Sequence, residues 1–285
     1  SSVVFFDDSM LKALMQRQQA EREINEALQR ESFTFCLQPK VDLITGEISG
    51  AEALARRVDA NGQMTYPDQF LPIMEANGSV IELDRLILRQ VCEQMNRRLT
   101  RGLPLVRTSV NLSRLHIQAP KSAEQLHAIV QEYHIPPCLI EFELTETILL
   151  DQFSGAKCLC DQLREIGYSM AIDDFGAGYA GVNIIQELDF DVLKLDRKFL
   201  AEEEPLRSRN RVIMPGLLNI LRELKITALC EGVETAEQCR YLTRMGCQKV
   251  QGFYFSKPVP VEQFYHTYQA LNGCYAVRAE LAAQQ

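Results

Sequence analysis

Missing from this 285-residue chain is any run approaching the roughly 18 to 20 uninterrupted apolar residues of a membrane-spanning helix, and no basic n-region followed by an apolar h-region opens it. Its nine cysteines include no CxxC pair. Cys158 and Cys160 are separated only by Leu159, and Cys92 and Cys230 lie in apolar surroundings, the pattern of reduced, mostly buried thiols. No GxGxxG follows the first strand candidate, which removes the usual dinucleotide fingerprint. Positive charge is also short. A formal net charge of -8 argues against a surface that grips polymeric nucleic acid or an anionic membrane by bulk electrostatics. A small anionic ligand in a locally positive or metal-lined pocket stays open. Together these absences read as a cytosolic domain. The start Ser1-Ser2-Val3, without methionine, is expected of a piece cut from a longer protein or of residues left from cloning. The full-length protein could then be membrane-anchored through an absent N-terminal region.

What is present suffices for one large domain plus an appendage, since 46% of residues are hydrophobic and 24% charged. From Asp8 to Arg30 there is no proline or glycine, and Leu11, Leu14, Met15, Ile24 and Leu28 fall on a helical stripe. This predicts a helix over residues 1–31, either packed on the domain or connecting to an upstream module. Residues 32–285 then form the main domain. Phe33 to Val41 and Glu47 to Leu54 read as antiparallel strands around a hairpin loop, Asp42 to Gly46. Short strand candidates follow at Val106 to Leu112, Leu139 to Leu144, Tyr168 to Ile172, Val192 to Leu195, Ile226 to Cys230 and Lys249 to Phe255. Helical stretches at Pro67 to Asn77, Val80 to Leu99, Ala123 to Tyr133, Phe153 to Ile166, Arg209 to Leu224 and Ala236 to Met245 alternate with them. Repeated strand-then-helix units predict an α/β fold, a closed (β/α)8 barrel more than an open doubly wound sheet.

Such a barrel gathers its site from the C-terminal ends of several strands. Those ends carry Glu52, Asn111, Glu143, Asp173 with Asp174, Lys194 and Glu231, and Gln251 falls within the last strand candidate. Asp173 and Asp174 form an adjacent like-charged pair where a strand meets Phe175-Gly176-Ala177-Gly178-Tyr179. Side-by-side carboxylates share a proton, contact a cation, or point apart into water. Singly, each of these residues reads as a strand-end cap or solvated loop residue. Recurring strand after strand, oxygen donors of this kind are a ligand set for hard cations such as Mg²⁺ or Mn²⁺. The four histidines, His116, His127, His134 and His266, lie outside the set, which leaves little support for a histidine-centred zinc mechanism.

Glu52-Ala53-Leu54, Val110-Asn111-Leu112-Ser113, Glu143-Leu144-Thr145-Glu146, Asp173-Asp174-Phe175-Gly176, Lys194-Leu195-Asp196-Arg197, Glu231-Gly232-Val233-Glu234 and Gln251-Gly252-Phe253 occur in the order seen in EAL-domain proteins. The chain resembles that family from Phe33 to about Gln263. The resemblance implies a cyclic-di-GMP phosphodiesterase with a modified TIM-type (β/α)8 barrel whose first strand runs antiparallel, in agreement with the hairpin reading. It also implies that Glu52, Asn111, Glu143 and Asp173 hold one Mg²⁺ or Mn²⁺, and that Asp173, Asp174 and Glu231 contribute to a second. Ca²⁺ is expected to inhibit. Lys194 would orient the attacking water, with its role as proton acceptor left open. Lys194 and Glu231 are thus the implied catalytic pair, and Gln38 and Arg56 match nucleotide-contacting positions. Glu146 resembles a loop anchor, Gln251 a water-positioning group, and Asp196 and Glu234 complete the supporting set. A homodimer through the barrel is a further implication of the family. Phe5-Phe6-Asp7 with the polar helix resembles the end of a GGDEF domain.

Several positions depart from the family pattern. Ala177, Ala180 and Gly181 remove hydroxyls that could brace the loop after Asp174. Arg57 stands where an aromatic residue is common, and Val58-Asp59 replaces a His-Pro pair. Two other readings compete with the enzyme. One is a catalytically silent EAL domain that senses cyclic-di-GMP or binds protein, for which loss of metal ligands is expected. The other is an enolase-like barrel in which Lys194 abstracts a proton beside a carboxylate.

Overall fold

In a computed structural model, the residues described are 8–30, 32–59, 62–147, 152–177, 183–200, 206–268, 270–271 and 274–276. The hairpin is closed by its own loop chemistry. Asp42 Oδ1 accepts the backbone N–H groups of Ile44 (2.8 Å) and Thr45 (2.9 Å), and Gly46 supplies the positive φ of 72° that turns the chain back. The flanking strands, β1 (Phe33–Asp42) and β2 (Glu47–Val58), are antiparallel, with Gln38 opposite Glu52 and Lys40 opposite Gly50. A two-residue strand, β3 (Met64–Thr65), pairs with the outer end of β2.

Six strands then follow in order: β4 (Thr108–Asn111), β5 (Ile140–Thr145), β6 (Ser169–Phe175), β7 (Val192–Leu195), β8 (Thr227–Cys230) and β9 (Lys249–Val250). From β2 through β4 and on to β9 each pairs with its neighbour in parallel, and β9 returns to β1 antiparallel. The barrel is closed by β1, β2 and β4 to β9, eight strands, with β1 running against both of its neighbours. This is the antiparallel first strand expected from the sequence.

Packing follows the two-residue period of the strands. Outward residues such as Phe142, Leu144, Met170, Ile172, Leu193 and Leu195 join one continuous core beneath the helices. The helix Val80–Leu99 contributes Leu83, Ile87, Leu88, Val91 and Met95 from one buried stripe. Each such side chain contributes about 1.5–3 kcal/mol of burial. Inside the barrel, Ala171, Val192 and Leu229 form only a small separate cluster. The rest of the interior holds Lys40, Glu52, Glu141, Glu143, Asp173 and Lys194, all buried.

The leading helix runs Asp8–Gln29, and Ile24 and Ala27 enter the core while Met15 is 59% exposed. Its last turns are therefore a packing helix of the domain. The strand expected at Val106 to Leu112 is shorter, and the one expected at Lys249 to Phe255 stops at Val250. Past Val250 the chain turns across Val233, whose N–H donates to Gln251 O (3.2 Å) and whose O accepts the Tyr254 N–H (3.0 Å), an approach so close that a Cβ on Gly252 would meet Val233 O at 2.1 Å. Among the described residues no helix is long and apolar enough to cross a membrane. Phe5 to Asp7, and Gly178 to Gly181 of the loop, lie outside the described residues.

Candidate active site

Lys194 enters from β7 and is fully buried, and its ammonium is the hub of the barrel mouth. Nζ lies 2.6 Å from Glu143 Oε2, 2.8 Å from Glu231 Oε1, 3.1 Å from Asp173 Oδ2 and 3.3 Å from Glu52 Oε2. Four strands or strand ends deliver these carboxylates. Glu231 is held one residue beyond β8 because the ladder continues past it: its N–H donates to Leu195 O (3.0 Å), and Gln251 N–H donates to Cys230 O (2.9 Å). Glu52 sits in the middle of β2 because that strand overruns the rim to pair with β1 and β3. Asn111 Nδ2 donates to Glu52 Oε1 (2.8 Å), and Gln251 Nε2 donates to Glu52 Oε2 (2.6 Å) and to Gln38 Oε1 (3.0 Å). Gln251 Oε1 is buried with no protein partner.

The Asp173-Asp174 pair depends on a break in the strand. Regular alternation would aim one of two consecutive residues away from the site. The β6–β7 register shifts between Ile172 and Phe175, and Asp174 adopts φ 57°, so both carboxylates face the mouth. Asp173 Oδ1 accepts the Asp174 N–H at 2.8 Å. Glu146, buried at the end of β5, accepts the Gly176 N–H at 2.6 Å. Gly176 itself packs on Phe199, whose ring carbon would lie 2.4 Å from a Cβ. Phe199 belongs to a turn capped by Asp196, whose Oδ1 accepts the Lys198 N–H at 2.9 Å, and Lys198 Nζ donates to Ala177 O at 2.7 Å. The segment after the aspartates is thus held from three directions despite the missing hydroxyl at Ala177.

Like charges and burial set the electrostatics. Burial raises the Glu52 and Glu231 carboxyls above the ordinary range against the pull of Lys194. Burial likewise opposes ionisation of Glu143, but Lys194 and Lys40 together outweigh it and hold its pKa at about 2. Asp174 is solvent-exposed by area, yet the protein packed around its carboxyl, with Asp173 beside it, pushes its pKa up to about 6. Lys194 is held well above the ordinary lysine value, because the surrounding carboxylates, Asp173 foremost, overcome its burial.

Two trios offer ligand oxygens within 4.8 Å of one another, Glu52 with Glu143 and Asp173, and Asp173 with Asp174 and Glu231. They share Asp173. Carboxylate oxygens already converging on a cation are a donor set that fits hard divalent ions. Two cavities meet over Glu52, Leu54 and Asp173. One, of about 330 Å³, is lined by Gln38, Arg197, Glu231, Glu234 and Phe253; the other, of about 500 Å³, is more apolar, with Pro67, Leu71, Leu83 and Ile87. Together they make an elongated cleft with the acids at its middle. Arg56 is not brought into it. The arginine is buried at the β2 end, where Nη1 donates to Ala55 O (2.7 Å) and the guanidinium lies 5.1 Å from the Tyr66 ring centroid. Sequence reasoning missed Arg197 and Phe253 in the cleft, and Lys40 and Glu141 beneath it.

Fold and site together define a (β/α)8 barrel whose mouth is lined by carboxylates able to hold divalent cations. The EAL domain family matches residues 21–258, and the chain belongs to that family. It is 31% identical over 268 residues to the cyclic di-GMP phosphodiesterase NbdA of Pseudomonas aeruginosa, covering 93% of this chain and 34% of that protein. It is 32% identical over 255 residues to the probable cyclic di-GMP phosphodiesterase PdeB of Escherichia coli, covering 90% of this chain and 48% of that one. The chain thus spans about a third to half of these relatives. Among solved structures, the PaMucR phosphodiesterase in complex with c-di-GMP superposes with a TM-score of 0.79 at 30% identity, over 86% of this chain and 99% of that one.

Proposed function

We propose that residues 32–285 form a cyclic-di-GMP phosphodiesterase that opens one phosphodiester to give linear pGpG. The observation that carries this reading is the pair of acidic trios sharing Asp173 around the Lys194 ammonium, placed at the middle of a two-lobed cleft. Glu52, Asn111, Glu143 and Asp173 would hold one Mg²⁺ or Mn²⁺, and Asp173, Asp174 and Glu231 a second. Bound there, the ions would supply acidification of a water and neutralisation of charge gathering on the phosphodiester oxygens.

The chain's own groups do the remaining work. Lys194, with its Nζ within 3.3 Å of four carboxylates, acts as a hydrogen-bond donor that orients the nucleophile. Glu231, which would share the second ion, lies 2.8 Å from the Lys194 ammonium and faces the smaller cavity, where it would help hold the nucleophile. Gln251 fixes Glu52 with its amide N–H and keeps Oε1 available to a water or ligand donor. Gln38, from the strand beside it, and Glu234, at the rim, would contact the nucleotide. Arg56 would reach a phosphate only by leaving its carbonyl partners.

Incubation of the purified chain with cyclic-di-GMP and Mg²⁺ or Mn²⁺, followed by chromatography of the nucleotides, should show linear pGpG, and Ca²⁺ should suppress it. No product from folded, metal-loaded protein would overturn the assignment. On the same reading, residues 1–31 connect to an upstream module such as a GGDEF domain, the barrel pairs as a homodimer, and the domain works in the cytoplasm. Sedimentation of the chain with and without its first 20 residues tests the pairing.

A further inference from the structure

Below the acidic mouth lies a second layer of buried charge that the proposed chemistry does not use. Lys40 Nζ is 2.7 Å from Glu141 Oε1 and 2.7 Å from Glu143 Oε1, and Ser169 Oγ donates to Glu141 Oε2 at 3.0 Å. Lys40, Glu141, Glu143 and Ser169 are each no more than 7% exposed. The register explains the layer. Glu141 pairs with Ser169 across β5 and β6, and Lys40 lies opposite Gly50, where a Cβ would meet Arg107 O at 3.0 Å. Glu143 is therefore clamped between two ammonium groups, Oε1 on Lys40 below and Oε2 on Lys194 above.

The two clamps differ in what else they hold. Lys194 divides itself among four carboxylates at the mouth. Lys40 is committed to Glu141 and Glu143, and Glu141 is fixed in turn by Ser169.

We propose that Lys40 is a positioning residue, which anchors Glu143 through Oε1 so that Oε2 is presented to a divalent cation at the mouth, with Glu141 and Ser169 serving to hold Lys40. The proposal rests on the metal-dependent reading of the site. Groups that orient a ligand from behind contribute on the order of 10–100-fold to metal affinity.

The test is Mn²⁺ binding, followed by calorimetry and by the Mn²⁺ electron paramagnetic resonance signal, alongside kcat, KM and the metal-free Tm. Lys40→Met should weaken Mn²⁺ binding by about 10–100-fold and lower kcat more than it raises KM. It also leaves the buried Glu141 without its counterion and Glu143 with Lys194 alone, so the metal-free Tm should fall. The double variant Lys40→Met with Glu141→Gln removes one charge of each sign and separates the roles. Positioning predicts that the Tm recovers while Mn²⁺ affinity stays low; recovery of both makes Lys40 merely structural and overturns the proposal. Ser169→Ala, which keeps every charge, should weaken Mn²⁺ severalfold, and wild-type affinity in this variant and in a folded Lys40 variant would also overturn it. Because binding is read without substrate, a wild-type chain that binds Mn²⁺ but makes no pGpG would remove the enzymatic reading and leave this one standing.

Discussion

The two charged layers inside the barrel are built from the same residue types and do opposite things. In the lower layer one ammonium meets two carboxylates and a serine hydroxyl supports one of them. In the upper layer one ammonium faces four carboxylates, with Asp174 beside them. Charges taken out of water are tolerable when paired and hydrogen-bonded. The lower layer meets that condition with protein groups alone. Burial raises the Glu52, Glu231 and Asp174 carboxyls, and the upper layer's excess of negative charge over what Lys194 balances adds to it. An excess of oxygen donors at the open end, resting on a paired and hydrogen-bonded layer at the closed end, is what a cation-binding mouth requires.

The most severe way to break this comparison is to remove the upper ammonium. Lys194→Met should lower turnover by on the order of 10²–10⁴, the scale of a positioned acid–base group, while Glu52→Ala should abolish measurable turnover. Both chains should remain folded in Mg²⁺, checked by circular dichroism. Without divalent ions, Lys194→Met should lose more thermal stability than Glu52→Ala, because it strips the mouth of its cation instead of one of its anions. Near-normal turnover in either variant would contradict the assigned roles.

Acidity offers a second, gentler contrast. Glu141 and Glu143 have folded pKa values below their ordinary range, Glu143 at about 2, so their contribution is present above the unfolded carboxylate value of about 4.3 and is lost as pH falls through the folded values. Glu52, Glu231 and Asp174 have raised values, Asp174 about 6, so the fold binds more protons there than the unfolded chain does, and stability declines as pH rises from about 4 through those values. Metal-free protein should accordingly lose Tm on both sides of a mildly acid optimum. Mg²⁺ at a hundredfold excess over its Kd should add about 2.7 kcal/mol near neutrality and progressively less towards pH 5, where the mouth carboxyls take up protons. A Mg²⁺ effect independent of pH would show that the ion binds elsewhere.

The difference between the layers also marks how far the sequence could be read. Glu52, Glu143, Asp173, Lys194 and Glu231 stood out because ordered motifs place them at strand ends, and the structure brings them to one point. Lys40 and Glu141 carry the same kind of signal but lie outside the ordered motifs. Inward positions recur every second residue, so Lys40 shares a face with Gln38 and Glu141 with Glu143. Since β1 runs antiparallel, moving forward from Gln38 and backward from Glu143 both lead deeper into the barrel. The hairpin reading therefore contained the lower layer. Gln251 and Arg56 were less legible for a different reason. β9 gives way to a turn across Val233, and Arg56 is held by carbonyls of its own strand, neither of which leaves a periodic trace.

A third contrast lies within the upper layer, between Asp173, which is buried and paired with Lys194, and Asp174, which reaches the mouth only because the strand breaks at a positive φ. Glu146 holds that break by accepting the Gly176 N–H. Glu146→Gln keeps the shape but exchanges a charged acceptor for a neutral amide, which should cost about 1–2 kcal/mol, less than the full value of a hydrogen bond to a charged group. The loss should fall on the second trio, where Asp174 contributes, and spare the first, where Glu52, Glu143 and Asp173 are placed by regular strand positions. Titration with Mn²⁺ should then show the weaker of two binding steps shifted severalfold and the tighter one unmoved. An equal shift in both steps would mean that the loop and the barrel floor act as one rigid unit, and that the division of the mouth into two trios has no energetic counterpart.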